Sequence, residues 1–361
     1  MRPRPILVVE DDRFTRIVQL LLDPDASAER IAAYADFFAH DEPDFAGWCK
    51  RVRARAPALF PAEVRLVGSS AELRANIADA HGAIVESIAI GGDDIAAGRR
   101  LSVVHKYGVS LRDIDTVACA ERGITVLTIR RRANIACAET ALGLMLTLAK
   151  KMHRLTGRIS PEQLGAIGYP YRPFDRRHTP NSNWPRIAGI RMLLGATLGI
   201  IGLGEIGREI ALLANAFGMR VLYYQRTKLS DAEERELHVR YAPLDTLLSE
   251  SDWVIPQLPS GPTTRNLIGH AQIQRMKPGA CIVNVSRADV VERAAVIAAL
   301  RSGHLGGFAL DPLYEEPGRS DDELLDLDNA VLIPHIAAQP RFNALDDISD
   351  MIAALARELR S

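Results

Sequence analysis

Cysteines are few in this chain and far apart along it. Cys49, Cys119, Cys137 and Cys281 are scattered and form no CxxC pair. That excludes a disulfide framework or a zinc knuckle and favours buried thiols in a reducing compartment. Net charge is nearly absent as well, at −1, which excludes a protein that binds nucleic acid by broad phosphate neutralisation. Long apolar runs are missing. The longest, TALGLMLTLA at 140–149, is half of the roughly 20 residues a bilayer requires and reads as a buried helix. The run Ile6 to Val9 is too short for a signal-peptide core. The expectation is a cytoplasmic protein with no metal, no membrane partner and no nucleic-acid partner.

What is present is a globular composition, 47% apolar and 25% charged, and at 361 residues enough chain for two domains. Short apolar runs alternate with helical patterns. Strands are expected at Ile6–Val9, Val64–Val67, Ala83–Val85, Leu101–Val104 and Ile124–Leu127, with helices at Arg13–Leu22, Ala71–Ala80 and Asp113–Arg122. One long helix is expected over Asn134–Leu155, closing on basic residues that suit a helix C-terminus. Thr156 to Pro185 carries five prolines and reads as a long surface loop. The alternation resumes with strand Leu198–Ile201, helix Ile206–Phe217 and strand Arg220–Tyr224. Later strands are expected at Trp253–Ile255, Cys281–Val285, Gly307–Leu310 and Val331–Ile333, and a closing helix at Ala344–Leu359. Such alternation predicts an α/β fold with parallel, helix-covered sheets.

GLGEIG at Gly202–Gly207 follows the apolar strand LGII directly and opens an amphipathic helix. In that context it reads as a dinucleotide-binding turn. Gly202 permits the tight turn, Gly204 admits the pyrophosphate, and Gly207 lets helix and strand pack. The phosphates then meet the helix N-terminus, with its amides and dipole. The second strand ends in Gln225, where an acid would take the ribose hydroxyls, and Arg226 and Lys228 follow. A neutral residue beside a guanidinium favours a 2′-phosphate, so the cofactor is read as NAD(P), with NADP(H) favoured over NAD(H).

Ligands of open parallel sheets bind beyond the carboxyl ends of the strands. Those ends carry Arg287, Asp311 followed by Glu316, and His335. Together with the Gly202 turn they supply a phosphate cradle, a cation, two acids and an imidazole. Hydride transfer to a carbonyl needs a proton donor, which histidine can be, kept protonated by a nearby carboxylate. An arginine fork can hold a substrate carboxylate and polarise the adjacent carbonyl. The set suits reduction of a 2-oxo acid to a 2-hydroxy acid.

Several stretches now carry a resemblance: KYGVSLRDIDTVACAERGITV (106–126), ANIACAETALGLMLTLAK (133–150), LGATLGIIGLGEIGREIALLANAFGMRVLYY (194–224), MKPGACIVNVSRADVV (276–291), GGFALDPLYEEP (306–317) and VLIPHIAA (331–338). The chain resembles the D-isomer-specific 2-hydroxyacid dehydrogenase family, of the phosphoglycerate dehydrogenase and glyoxylate/hydroxypyruvate reductase kind. The resemblance places catalytic roles on Arg287, Glu316 and His335, and sets Asp311 beside the nicotinamide. It implies cofactor contacts at Gly202, Gly204, Glu205, Ile206, Gly207, Gln225, Arg226, Thr227 and Pro259. It implies substrate contacts at Lys106, Tyr107, Gly108 and Val109, in a loop running to Ser110, besides Arg287. It also implies two Rossmann-like domains and a homodimer. Residues 1–132 with 337–361 would form a flavodoxin-like substrate domain, and 133–336 an inserted dinucleotide-binding domain. Three departures stand out. Gln225 replaces the frequent aspartate, Ala288-Asp289 replaces the usual Gly-Gly, and the 156–185 loop is long.

Three other readings compete. ILVVEDDRFTRIV at 6–18 looks like the opening of a phosphorelay receiver, but the third strand ends in Glu86 where a phosphoacceptor aspartate is needed. A non-enzymatic NAD(H)-sensing regulator could use the same scaffold, against which the complete Arg287, Glu316 and His335 set argues. Of the formate- and phosphite-type dehydrogenases, Glu316 disfavours the formate variant, and the phosphite-type reading stays open.

Overall fold

Runs rich in Val, Ile and Leu that are buried on both faces make parallel strands, because helices must cover each side. In the first unit these are β1 (Ile6–Glu10), β2 (Glu63–Val67), β3 (Gly82–Val85), β4 (Val103–Lys106) and β5 (Thr125–Thr128), all parallel in the order β2-β1-β3-β4-β5. This is the flavodoxin-like order. Its helices are α1 (Ile17–Leu22), α2 (Ala28–Phe38), α3 (Phe45–Arg55), α4 (Ser70–Asn76), α5 (Gly92–Ala97) and α6 (Thr116–Glu121). The computed structural model describes residues 4–359. It divides into two compact units: residues up to Asn134 with those from Ala338 on, and Ile135–Ala337. The division falls within α7 (Arg132–Ala149).

The second unit holds α8 (Met152–Leu155), α9 (Pro161–Gly165), β6 (Thr197–Ile201), α10 (Glu205–Ala216), β7 (Arg220–Tyr224), α11 (Asp231–Leu237), β8 (Val239–Tyr241), α12 (Leu244–Glu250), β9 (Trp253–Pro256), α13 (His270–Arg275), β10 (Ala280–Asn284), α14 (Arg293–Ser302), β11 (Leu305–Leu310) and β12 (Ala330–Leu332). Its seven strands are parallel in the order β12-β11-β10-β9-β6-β7-β8. The order turns back at β6, so the crevice between the ends of β6 and β9 is the topological switch point. The last helix, α15 (Phe342–Glu358), belongs to the first unit. It packs Leu345, Ile348, Met351, Ile352 and Leu355 into the core that contains Leu7, Val9 and Ile17.

Several elements differ from the sequence reading. The strand expected at Leu101–Val104 lies two residues later, because His105 and Lys106 pair with Ile84 and Val85 of β3. Lys106 is buried, and its ammonium donates to the Glu86 carbonyl, which makes a charged strand residue tolerable. Helices α2 and α3 and strand β8 were not expected. For α3 a signal was present: Phe45, Trp48, Cys49 and Val52 are buried at i, i+3, i+4 and i+7. The helix expected over Asn134–Leu155 is broken at Lys151, whose backbone is left-handed at φ 55°. Within 156–185, a Ser160/Gln163 capping box starts the one-turn helix α9.

In the first unit the receiver-like opening has a structural explanation. The buried Glu10 carboxylate accepts from the amides of Glu86, Ser87 and Ile88 at 2.7, 2.8 and 2.9 Å. Asp12 accepts from the Phe14 amide at 2.9 Å, ahead of α1. The acids at the end of β1 therefore tie down neighbouring loops. No helix among the described residues is long and apolar enough to cross a membrane.

Candidate active site

The Gly202 turn shows why each glycine stands where it does. Gly202 has φ 96°, and a Cβ there would lie 2.4 Å from the Gln257 carbonyl oxygen. Its amide donates to the Tyr224 carbonyl at 2.8 Å, and the Gln257 amide donates to the Ile201 carbonyl at 2.8 Å. The turn is thus pinned to the ends of both flanking strands. At Gly207 a Cβ would meet the Gly202 carbonyl oxygen at 2.5 Å, so only glycine allows α10 to start this close to β6. Gly204, the N-cap of α10, differs. A Cβ there would meet nothing within 4 Å. Gly204 immediately precedes the first turn of a twelve-residue helix, the end of a helix at which anions are favoured. The side-chain Nε2 of Gln257 is buried with no hydrogen-bond partner among the described residues. Open space, a helix N-terminus and an unused buried donor at the switch point fit a pyrophosphate-bearing cofactor.

Beyond β7, the neutral Gln225 turns its amide onto the Thr227 carbonyl at 2.7 Å. Lys228 is held by Asp231 at 3.3 Å and Glu234 at 3.7 Å. Arg226 is exposed and forms no ion pair among the described residues. Pro259 is exposed in the loop after β9, and its carbonyl accepts from the Thr264 hydroxyl at 2.6 Å.

Three adjacent strands supply the reactive groups, and their ends are laced together. The Asp311 amide donates to the Asn284 carbonyl at 3.0 Å, and the His335 amide to the Asp311 carbonyl at 3.0 Å. Asn284, fully buried at the end of β10, accepts from the Ser286 amide and hydroxyl. Its side-chain amide donates to the Arg287 carbonyl at 2.8 Å. The exposed Arg287 is thereby presented from a fixed turn. Asp311 is 1% exposed, and its Oδ1 accepts from the amides of Ile336 and Ala337 at 2.6 and 3.1 Å. Burial pushes its carboxyl up, and the two amides oppose that shift. Within the described structure Asp311 therefore brackets the segment that carries His335.

His335 has a left-handed backbone, φ 52°, a conformation uncommon outside glycine and often retained at functional sites. Its Nδ1 lies 2.8 Å from Glu316 Oε1 and 3.0 Å from Oε2. Glu316 also accepts from the Leu313 amide at 2.9 Å, which fixes the carboxylate from behind. Its carboxyl is held below the usual range, first by the His335 hydrogen bond and also by the Leu313 amide and the charge of Arg287. With Nδ1 committed to Glu316, Nε2 is the nitrogen left to exchange a proton.

The second unit therefore gathers Gly202, Pro259, Arg287, Asp311, Glu316 and His335 at the carboxyl ends of one sheet. Lys106, Tyr107, Gly108 and Val109 belong to the first unit. Lys106 and Tyr107 are buried there, the Tyr107 ring beneath the Arg131 guanidinium at 5.3 Å. Gly108 has φ 149° and Val109 is exposed. The sequence reading missed Asn284 and Gln257, although the strand-end rule that found His335 applies equally to β9 and β10. No cluster of three metal-ligating side chains occurs among the described residues.

These features match known proteins. A family model described as D-isomer specific 2-hydroxyacid dehydrogenase, NAD binding domain, matches residues 142–337, more than half of the chain. The glyoxylate reductase of Pyrococcus furiosus is 36% identical over 254 residues, 70% of this chain and 71% of that protein. The glyoxylate reductase of Thermococcus gammatolerans is 34% identical over 264 residues, 73% of this chain and 75% of that one. Among solved structures, the PH0520 protein of Pyrococcus horikoshii superposes with a TM-score of 0.56 at 25% identity, over 98% of this chain and 91% of that chain. A cofactor turn built at the switch point, a sheet edge carrying arginine, glutamate and histidine, and a match of this extent have one reading: the chain belongs to the D-isomer specific 2-hydroxyacid dehydrogenase family.

Proposed function

We propose that this protein transfers hydride between NAD(P)H and a small 2-oxo acid, giving a D-2-hydroxy acid. The observation that carries the reading is the Glu316–His335 pair, 2.8 Å apart on the sheet edge that holds the Gly202 turn. Bound NAD(P)H supplies the hydride. Arg287 holds the substrate carboxylate and polarises the neighbouring carbonyl. His335 gives its Nε2 proton to the carbonyl oxygen as the carbon takes the hydride, and Glu316 stabilises the imidazolium beforehand. In the oxidative direction the neutral imidazole takes the hydroxyl proton back. The loop Lys106–Val109 is assigned to the substrate through its backbone, since the Lys106 ammonium is spent on the Glu86 carbonyl. The names of the relatives favour glyoxylate and hydroxypyruvate among substrates. A homodimer is the proposed assembly.

The test is oxidation of NADH and NADPH against a panel of glyoxylate, hydroxypyruvate, pyruvate, phenylpyruvate and bulkier 2-oxo acids, with phosphite added to the reverse assay. His335→Ala is expected to cut reduction by roughly a thousandfold while cofactor binding is kept. Full activity in that variant removes His335 from the chemistry. Tight cofactor binding without turnover of any acid would instead support a sensing role. Arg226, exposed and without an ion pair among the described residues, stands beside neutral Gln225 and favours NADPH. Arg226→Ala is then expected to raise KM for NADPH about tenfold and leave NADH unchanged. An unaltered NADPH KM would end that preference.

A further inference from the structure

The acid at position 289, two residues beyond Arg287, has no place in the chemistry proposed above. It is nevertheless firmly held. Asp289 Oδ2 accepts from the Ser260 hydroxyl at 2.6 Å and lies 3.7 Å from Arg265 Nε. The backbone of 289–290 is bonded to the residues that follow Arg265: the Asn266 amide donates to the Asp289 carbonyl at 2.7 Å and the Ile268 amide to the Val290 carbonyl at 3.0 Å. The 257–261 segment therefore touches two things. At one end the Gln257 carbonyl oxygen lies 2.4 Å from where a Gly202 Cβ would be. At the other, Ser260 is tied to the turn that presents Arg287. Between them stands Pro259, whose carbonyl is fastened to Thr264 within the loop.

We infer that Asp289 is a positioning residue that links the loop beside the dinucleotide turn to the Arg287 turn, so that cofactor binding orders Arg287 for the substrate carboxylate. The inference rests on the function proposed above and gives a role to a side chain outside its chemistry. The link is physical. A ligand against Gly202 and the segment after β9 restricts that loop. A short, charge-assisted hydrogen bond from Ser260 transmits the restriction to the segment bearing Arg287. The Ala288-Asp289 pair, a departure from glycines, thus replaces backbone freedom with a tether.

The experiment uses the full-length protein with NADH or NADPH. Asp289→Ala is expected to raise KM for the 2-oxo acid about tenfold, as for loss of one charge-assisted hydrogen bond, with kcat and the cofactor Kd each within about twofold. Asp289→Asn keeps an acceptor for Ser260 and is expected to restore most of the KM. Ser260→Ala should reproduce the Asp289→Ala defect, and the double variant should be no worse than either single one. Hydrogen exchange is read in parallel: the cofactor should protect the amides of 287–291 in the native protein and not in Asp289→Ala. An unchanged substrate KM in Asp289→Ala, additive defects in the double variant, or equal cofactor protection in both proteins overturns the inference. Failure to turn over any 2-oxo acid would sink the function alone, because the exchange measurement still reads the link.

Discussion

At the scale of single residues, the pairing of Glu316 with His335 sets a pH dependence whose sign can be worked out. The Glu316 carboxyl is depressed, chiefly by its hydrogen bond to His335, so it stays ionised across the neutral range. Glu316→Gln keeps an acceptor for the ring but removes the negative charge beside it. On the function proposed above, kcat/KM for reduction at neutral pH is expected to fall about tenfold. Equal kcat/KM in variant and native protein would count against the pairing. A depressed carboxylate contributes stability above its ordinary titration range and loses it in acid. Both partners are substantially exposed, with side chains 51% and 41% accessible, so that contribution is small and the variant should melt with the native protein. Position 204 makes a second residue-scale contrast with 202. Gly202→Ala must place a Cβ against the Gln257 carbonyl at φ 96° and is expected to lower the melting temperature by several degrees. Gly204→Ala has room in the protein itself. Its melting temperature should hold while cofactor Kd rises about tenfold or more, measured by NADH fluorescence.

Among the elements, those that position the site were the most legible. β6, β9, β10 and β11 are largely apolar runs; Gly202 and Asp311 follow strand ends directly, and Arg287 and His335 stand three residues beyond theirs. The three glycines could be assigned roles because a tight turn, a close approach and a helix–strand contact each exclude side chains for local reasons. β4 was placed too early because its last two residues, His105 and Lys106, are polar and pair with β3 for reasons that lie in another strand. The break between α7 and α8 follows from a left-handed Lys151, which no local pattern marks. Glu316 and His335 were singled out from the ends of two strands and then by family resemblance, while their 19-residue separation carries no spacing signal of its own. The tie from Ser260 to Asp289 was not legible at all. It joins residues 29 apart, and only the parallel order β10-β9 brings their loops together.

For the molecule as a whole, the division into two units and the placement of the dinucleotide turn in one of them predict how the cofactor acts on stability. A ligand that binds only the folded state stabilises it by about 2.7 kcal/mol at a hundredfold excess over Kd. In calorimetry, saturating NADH or NADPH is expected to raise the transition that includes residues 135–337 by a few degrees. The dinucleotide that binds more tightly should give the larger rise. No shift with either would contradict a cofactor site at Gly202. The first unit keeps its own core, with Leu7, Val9 and Ile17 joined by Leu345, Ile348 and Ile352 of α15. Its melting should respond less if it unfolds separately.

β12 is the outermost strand of its sheet, three residues long, and pairs only with β11. It nevertheless delivers His335. A short edge strand opens locally at a free energy well below that of global unfolding. Heating should therefore disarm the protein before it melts. The midpoint for loss of turnover is expected to fall several degrees below the midpoint for loss of ellipticity, with full recovery on cooling from the interval between them. Stabilising the β11–β12 edge would then lengthen the working life of the catalyst at temperatures where the rest of the fold is already secure.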